Sequence, residues 1–516
     1  MKRIKSLLCL ALILLCVFPI TACSSKVGKA KVIDIDLTSE EYAVGVDKTQ
    51  PRLQEEVNDF VKRIKADGTL DVICEKYFGA GTPMAIESAK YDEAKDQLVV
   101  ATSASFPPFE YMQGNKYYGI DMEIAKLLAD ELGKELVIQN MDFDAVCLSV
   151  GQQKCDIAMA GLTIKAEREE SVTFSIPYYQ ASQRLVVPAD DTTFDACKDA
   201  EEVVMLLNKL AKDDVIGVQN GTTGLHYVEG DEEWGFKGLP VTCSTYKDAS
   251  LAIQDMLNGN NKYVIIDAAP AQIVTESINE MDSFEKKIEK FADMFVREKG
   301  YQKVLDGLKN TLLIAITGLL IGVALGTVIA TIRVLPMYKL LPRVLNGICS
   351  FYVALFRGTP MVVQLLVFYY VLLPIMGLRI TGVEVSILVF GLNSGAYISE
   401  IMRGGIQSVD RGQMEAGRAL GLSFGTSMVK IVIPQAIKNM LPTMGNEFIA
   451  LIKETSVVSF VGATDLYMAF NYIGSNSYEF MVPYLVMAVI YIILVLLITL
   501  LIKLMERSLQ KSDRRN

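Results

Sequence analysis

Between Leu308 and Ile502 the chain runs through five apolar segments, at about Leu308–Ile332, Phe351–Met376, Val383–Met402, Leu441–Gly462 and Met481–Ile502. Each approaches the ~20 residues with which a helix crosses the hydrocarbon of a bilayer. Lipid offers the backbone no water, so such runs must satisfy their own N–H and C=O groups, which they do as helices. The second half is therefore expected to be an all-α, five-span membrane domain. Its fourth segment is the weakest, because Glu447, Lys453 and Glu454 interrupt it. Charged groups at membrane depth are costly and face a cavity or a partner. That makes Arg357, Glu400, Glu447, Lys453 and Glu454 candidates for a transmembrane pathway. Helix-end snorkelling is the competing reading, above all for Arg357 and Arg403.

The remainder has a different composition. A chain of 516 residues has room for two or three domains. From Lys303 onward 18 Lys+Arg stand against 11 Asp+Glu, net +7, which leaves 32 against 49 before it, net −17. An acidic water-soluble part thus precedes a basic membrane part. The basic residues are scattered along membrane edges rather than gathered in a patch, which argues against nucleic acid as a partner. They also orient the spans. Arg333, Lys339 and Arg343 follow the first segment, Arg403, Arg411, Arg418, Lys430 and Lys438 follow the third, and Lys503, Arg507, Lys511, Arg514 and Arg515 form the tail. Basic loops stay in the cytoplasm, so the soluble part is expected outside and the tail inside.

The N-terminus reads as a secretory signal, with Lys2, Arg3 and Lys5 ahead of the apolar run Leu7–Phe18. Its end, Ile20-Thr21-Ala22-Cys23, resembles a bacterial lipobox, which implies lipidation of Cys23; an uncleaved signal anchor is the alternative. The cysteines of the soluble part, Cys74, Cys147, Cys155, Cys197 and Cys243, lack metal-like spacing and are read as buried free thiols, with a Cys197–Cys243 bridge left open. His226 is the sole histidine, which argues against a histidine-based metal site or triad.

Over Leu98–Val187 short β-like runs (LVVAT, ELVIQ, DIAMAG, RLVV) alternate with helical stretches such as Met122–Leu132, and Ile216–Asp267 repeats the pattern with VIGVQ, LPVTC and YVIID. This is α/β organisation with mostly parallel sheets. Two such units joined at Gln183–Pro188 predict a two-lobed, hinged domain.

The most specific string lies between the third and fourth apolar segments. Glu415–Pro434 reads EAGRALGLSFGTSMVKIVIP: Glu415-Ala416-Gly417, three residues, Gly421, nine residues, then Ile431-Val432-Ile433-Pro434. It resembles the cytoplasmic coupling loop of ABC importer permeases, E-A-A, x3, G, x9, I-x-L-P, from which Gly417 and Ile433 depart. LFRGTPMVVQL (Leu355–Leu365), Ala396–Ala416 and NEFIALIKETSVVSF (Asn446–Phe460) resemble the polar amino acid permeases, and the likeness covers Lys303–Arg507. No stretch matches G-x-x-x-x-G-K-[ST], so the chain is expected not to be an enzyme and to bind no cofactor. ATP and Mg would belong to an ABC ATPase subunit acting in trans on Glu415, Ala416, Gly417 and Gly421. Such permeases pair, which implies a homodimer through the membrane domain.

The strings ATSASFPPFEY, GIDMEIAKLLADELG, AGLTIKAEREESVTFSIPYY and GVQNGTTG resemble the periplasmic-type amino acid binding proteins. A free amino acid needs a cation for its carboxylate and an anion for its ammonium. Arg168 offers a bidentate fork, and Thr222 with the amides of GTTG offers an anion-binding nest. Asp267, at the end of an apolar strand, can take the ammonium, with Thr163 and the Gly161 carbonyl beside it. The resemblance implies that Phe106 and Phe143 sandwich the ligand side chain, and that Ser103 and Gln219 read it. Both are uncharged, which favours a neutral polar ligand such as glutamine. Against these roles stand core packing for the two aromatics and a surface ion pair of Arg168 with Glu167, Glu169 or Glu170.

The order of segments departs from that family. The second lobe breaks off near Ile278-Asn279-Glu280, where a strand crossing back to the first lobe should follow, and Lys31–Gly79 looks like the missing C-terminal segment. A circular permutation is expected: Val32–Asp36 completing the second lobe's sheet, Tyr42–Val46 forming the second hinge strand, Leu53–Phe78 packing on the first lobe and Ala80–Asp96 serving as linker. A remnant of a deleted tandem domain is the alternative.

The expected organisation is a signal over 1–23, a permuted segment with linker over 24–96, a two-lobed periplasmic-binding-protein fold over 97–281, a connector over 282–302, the permease domain over 303–508 and a tail over 509–516. A ligand-gated channel would share the binding chemistry but needs a pore between the lobes. A transmembrane sensor needs an output domain, which Lys503–Asn516 does not supply.

Overall fold

A computed structural model describes residues 28–513 apart from 80, 114–115, 335–339 and 379, with side chains to Glu506. The signal read over 1–23, and Cys23 with it, lies outside the described residues. The described chain forms two compact units: one takes the residues up to Leu37 and then Gln183–Lys290, the other takes Thr38–Ser182 and everything from Phe291 onward.

The first unit is built on a five-stranded sheet in the order Ala30–Val32, Gln183–Pro188, Tyr263–Asp267, Val215–Gln219, Thr242–Tyr246. The last three run parallel and the first two antiparallel, with Val32 opposite Val186 and Gln183 opposite Asp267. Leu185, Val187, Ile216, Val218 and Ile265 are fully buried beneath one face, with Val203 and Leu207 of the helix Ala200–Leu207 against them. The side chain of Asn279 clasps the backbone of Ala30, accepting from its N–H at 2.9 Å and donating to its C=O at 2.7 Å. Gln183–Pro188, expected as the joint between lobes, is instead a strand inside this sheet. The chain changes units just before it, and again at Leu37–Thr38.

The α/β part of the second unit carries a sheet in the order Val172–Phe174, Gly45–Asp47, Ile157–Ala158, Gln97–Thr102, Glu135–Asn140. Gly45–Asp47 lies antiparallel to both neighbours, with Gly45 opposite Phe174 and Ala158. Glu40–Tyr42 pairs separately with Tyr179–Ala181. The early segment thus enters both units, although its strands are shorter than the expected Val32–Asp36 and Tyr42–Val46. Pro51–Ala66 is helical because its apolar residues recur on one face and Pro51 sits at its first turn. That face buries Leu53, Val57, Phe60, Val61 and Ile64. Residues 81–96 are more than a loose linker: Ile86 is buried and bridges to Tyr117, and Ala89 N–H donates to Leu136 C=O at 2.9 Å.

The helical part contains three helices long and apolar enough to cross a membrane among the described residues: Gly300–Val334, Gly382–Gln407 and Met481–Glu506. A fourth candidate, Leu340–Gly358 with Met361–Ile375, is bent by 108° at Thr359-Pro360, where proline disfavours helix in the residue before it. The expected span Leu441–Gly462 falls within the helix Ile433–Glu454 and the 3₁₀ turn Thr455–Val461, and its charges and Pro442 take it below that mark. By length and apolarity, three straight helices and one bent pair among the described residues thus stand where five spans are expected. The first and third expected spans pack by small residues. A Cβ on Gly318, Gly322 or Gly326 would stand 3.0, 2.6 or 2.9 Å from Phe390, Ser394 or Ile398, and Gly391 and Gly395 are equally close to Ile321 and Leu325. Without a hydrophobic drive between helices in lipid, such close approach supplies the attraction.

Candidate functional site

In the second unit the strand Gln97–Thr102 ends at Ser103, which is buried, and the chain turns into Phe106. Phe106 stacks on Phe109 with ring centroids 5.9 Å apart. Gly161 has φ +54, and a Cβ there would lie 2.8 Å from the Phe106 ring, so only glycine lets this backbone back onto the aromatic. Its N–H donates to Asp121 Oδ2 at 2.9 Å, and Tyr178 OH donates to the other carboxylate oxygen at 2.6 Å. Burial pushes the Asp121 carboxyl up to about 6 despite those two donors. Thr163 is buried, donates through Oγ1 to Glu40 at 3.0 Å and accepts through its C=O from Arg168 Nη1 at 2.9 Å. The Arg168 guanidinium lies 5.2 Å from the Phe143 ring centroid, within cation–π range. Ser103, Phe106, Gly161, Thr163, Phe143 and Arg168 thus all gather at one end of this sheet and the turns beyond it. Phe143 also packs against the core under the sheet, as the core-packing alternative expects. Arg168 thus meets a carbonyl and an aromatic ring.

In the first unit Gln219 and Asp267 close two neighbouring parallel strands, Val215–Gln219 and Tyr263–Asp267. Thr222 follows, donating through Oγ1 to the Gln219 C=O at 2.8 Å. Gly224 lets the next helix close on the sheet, since a Cβ there would stand 2.8 Å from the Ile265 C=O. All three side chains are buried at the carboxyl ends of the strands, the edge at which open α/β sheets bind ligands.

The sequence did not single out Asp121, Tyr178 or Glu40. Asp121 sits in the first turn of Ile120–Glu131, where an acid reads as a helix-dipole partner. Its hydrogen-bond partners lie 40 and 57 residues away.

The Glu415 segment is a short helix, Arg411–Ala419, with Asp410 capping Gly412 N–H. It ends in a Schellman turn: Leu422 N–H donates to Gly417 C=O at 3.1 Å, Gly421 N–H donates to Arg418 C=O at 3.0 Å, and Gly421 has φ +84. That conformation explains the glycine of the motif. Gly417 is buried against Ser427 and Ile431, where a Cβ would stand 2.7 Å from Ser427 Oγ. Glu415 and Ala416 are exposed, and Leu420 beside them is 83% exposed.

Two family models match the chain: the bacterial extracellular solute-binding proteins, family 3, over residues 98–348, and the binding-protein-dependent transport system inner membrane component over residues 318–511. The arginine transport system permease protein ArtQ of Bacillus subtilis (strain 168) is 37% identical over 210 residues, which are 41% of this chain and 94% of that protein. The chain belongs to the polar amino acid ABC importer family. A relative in Rickettsia bellii (strain RML369-C), named "Putative glutamine transport system permease protein GlnP", is 35% identical, covering 36% of this importer chain and 84% of its own length. A solved amino acid ABC transporter with histidines matches at 38% identity, over 41% of this chain and 95% of that one, with a TM-score of 0.38.

Within the importer's permease part, three of the five pathway candidates, Glu447, Lys453 and Glu454, share one helix. Glu400 is held by Arg403 at 2.7 Å and by Arg333 of the neighbouring helix, which makes it a helix clasp. Arg357 is exposed and lies over the Tyr397 ring at 5.2 Å. Lys453 and Glu454 are exposed at the end of Ile433–Glu454, and Glu447 lies two turns earlier, partly buried.

Proposed function

We propose that this chain captures a neutral polar amino acid, glutamine or one like it, on its α/β domain and passes it through its permease part under the drive of a separate ATPase. The arrangement of Arg168, Thr163 and Phe143 in one unit and Gln219, Thr222 and Asp267 in the other carries this reading. The first set offers a guanidinium fork with an aromatic face, and the second a buried carboxylate with backbone amides. Ser103 and Gln219 are buried and uncharged, which favours glutamine over arginine or glutamate although the relatives are named for both arginine and glutamine. Calorimetric titration of the full chain tests this. Arginine or glutamate binding more than about tenfold tighter than glutamine, a difference of about 1.4 kcal/mol, would sink the assignment.

The ATPase partner acts on Glu415, Ala416 and Leu420, which stand exposed beside a rigid glycine-capped turn. ATP and Mg belong to that partner, and one such surface per chain favours a homodimer. The charge pattern supports a binding domain outside and a tail inside. Cys23 serves as a lipid anchor in this reading. Domain boundaries at 24–96, 97–281, 282–302 and 303–508 fit it, with the first a permuted segment: its strand Ala30–Val32 pairs with Gln183–Pro188, and Gly45–Asp47 lies between Val172–Phe174 and Ile157–Ala158. The channel and sensor alternatives draw no support, since both matching families are transport families.

A further inference from the structure

The second arm of the bent helix pair loses its regular hydrogen bonding where it meets the α/β part of the same unit. Over Phe368–Leu372 the helix widens to a π turn, and Leu373 N–H turns back to the Phe368 C=O. Residue 374 is a proline and has no N–H to give. The Tyr370 carbonyl loses its donor four residues on, and the Tyr369 carbonyl loses both the α-helical and the π-helical one. Two side chains from the α/β part fill these places. Gln152 Nε2 donates to the Tyr370 C=O at 2.9 Å, and Lys154 Nζ donates to the Tyr369 C=O at 2.7 Å while lying over the Tyr369 ring. Met112 N–H makes a further contact, donating to Asn476 Oδ1 of the helix Leu466–Ser477 at 3.0 Å.

We propose that the lobe containing Phe143 and Arg168 is a fixed seat on the permease, latched at the broken helix by Gln152 and Lys154 whether or not an amino acid is bound. The proposal rests on the importer reading above. The latch completes backbone groups that the helix itself cannot satisfy, so releasing the lobe would strand two carbonyls. In the latch Lys154 is itself withdrawn from solvent, and that burial holds its amine down at about 7. Phe143 and the latch lie at opposite ends of one short helix, Phe143–Gly151, so ligand contact and permease contact are rigidly joined.

The test uses the full chain with its ATPase subunit in liposomes. Met112→Cys and Asn476→Cys together are joined by a short bifunctional thiol reagent, with each single variant as the control for native cysteines. The expected result is cross-linking to the same extent with and without glutamine, and retention of at least half of the uncrosslinked uptake. Failure to cross-link in the absence of ligand, or loss of most uptake once cross-linked, overturns the fixed seat. Independently, Gln152→Leu with Lys154→Met should lower uptake about tenfold or more while glutamine affinity stays within about twofold. Unchanged uptake in that variant also overturns the proposal. If the unsubstituted chain takes up no amino acid at all, the importer reading has failed rather than the latch.

Discussion

Gly322→Ala is expected to loosen the membrane domain, although alanine is the better helix former. The new Cβ would stand 2.6 Å from Ser394 Oγ, 2.7 Å from Ser394 Cβ and 3.1 Å from the Ser394 carbonyl carbon. The hydroxyl can rotate away, but the other two atoms belong to the facing helix itself. Ordinary carbon contact lies at about 3.5–4.0 Å, so the helices must part by nearly 1 Å. Gly318 and Gly326, one turn to either side, are packed just as closely and would lose their contacts as well. Overpacking of this kind costs about 1–3 kcal/mol, and the gain in helix propensity returns about 1 kcal/mol, leaving a net loss of up to about 2 kcal/mol. Gly347→Ala is the matched control. It lies inside Leu340–Gly358 with nothing within 4 Å of its would-be Cβ, so the same chemical change should stabilise by about 0.5–1 kcal/mol. Heat challenge of the detergent-purified full chain followed by fluorescence-detected gel filtration ranks the three proteins. A Gly322→Ala midpoint equal to or above that of the unsubstituted chain would refute the packing argument.

Other outcomes follow from the site and its supports. Glu415→Lys should abolish uptake by the reconstituted importer while leaving amino acid binding intact, because Glu415 is exposed and touches no ligand-site residue; residual uptake near the unsubstituted level would count against a coupling role. Asp121 holds its proton to about pH 6 when folded, against 3.8 for a free carboxyl, so its contribution to stability is full below about pH 4 and lost as the pH climbs through about 6. Asp121→Asn should remove that slope, worth roughly 3 kcal/mol at most, and a variant whose melting midpoint tracks the unsubstituted chain from about pH 4 to 7 would disprove it. Gly417→Ala restores the motif's usual residue yet meets Ser427 Oγ at 2.7 Å, so it should cost about 1 kcal/mol, regained when Ser427→Ala is added. A double-mutant cycle read by thermal midpoint shows whether the two changes couple.

What the sequence made legible was local. The spacing from Glu415 to Gly421 is a helix and its left-handed cap, a unit that one short string can encode. The buried runs Val215–Gln219 and Tyr263–Asp267 declare themselves as strands by composition, and with them the placement of Gln219 and Asp267 at strand ends. The failures came where distance in the chain decides the outcome. Glu400 looks like an isolated charge at membrane depth until Arg333, 67 residues earlier, is brought beside it. Lys154 reads as a surface lysine in a turn, and nothing near it announces the carbonyls of Tyr369 and Tyr370. The bend at Thr359-Pro360 was signalled by its proline, but the unbroken hydropathy across it outweighed that signal. The fourth expected span is covered by the helix Ile433–Glu454, and the charges that make it the least apolar of the five were legible in the sequence.

The order of strands also governs how this protein must be made. Ala30–Val32 has no partner until Gln183–Pro188 exists, and Gly45–Asp47 none until Ile157–Ala158 and Val172–Phe174 do. A chain synthesised from its N-terminus therefore carries the apolar face of Pro51–Ala66 uncovered through much of its synthesis. Neither sheet can close as it emerges, and the first unit waits for Tyr263–Asp267 before its middle strand is in place. Folding of the whole α/β part is pushed to the end of its synthesis, by which time the first membrane helix is arriving behind it. During that interval the early helices are open to proteases and to one another, so the yield of intact transporter should depend on holdases more than on the stability of the finished fold.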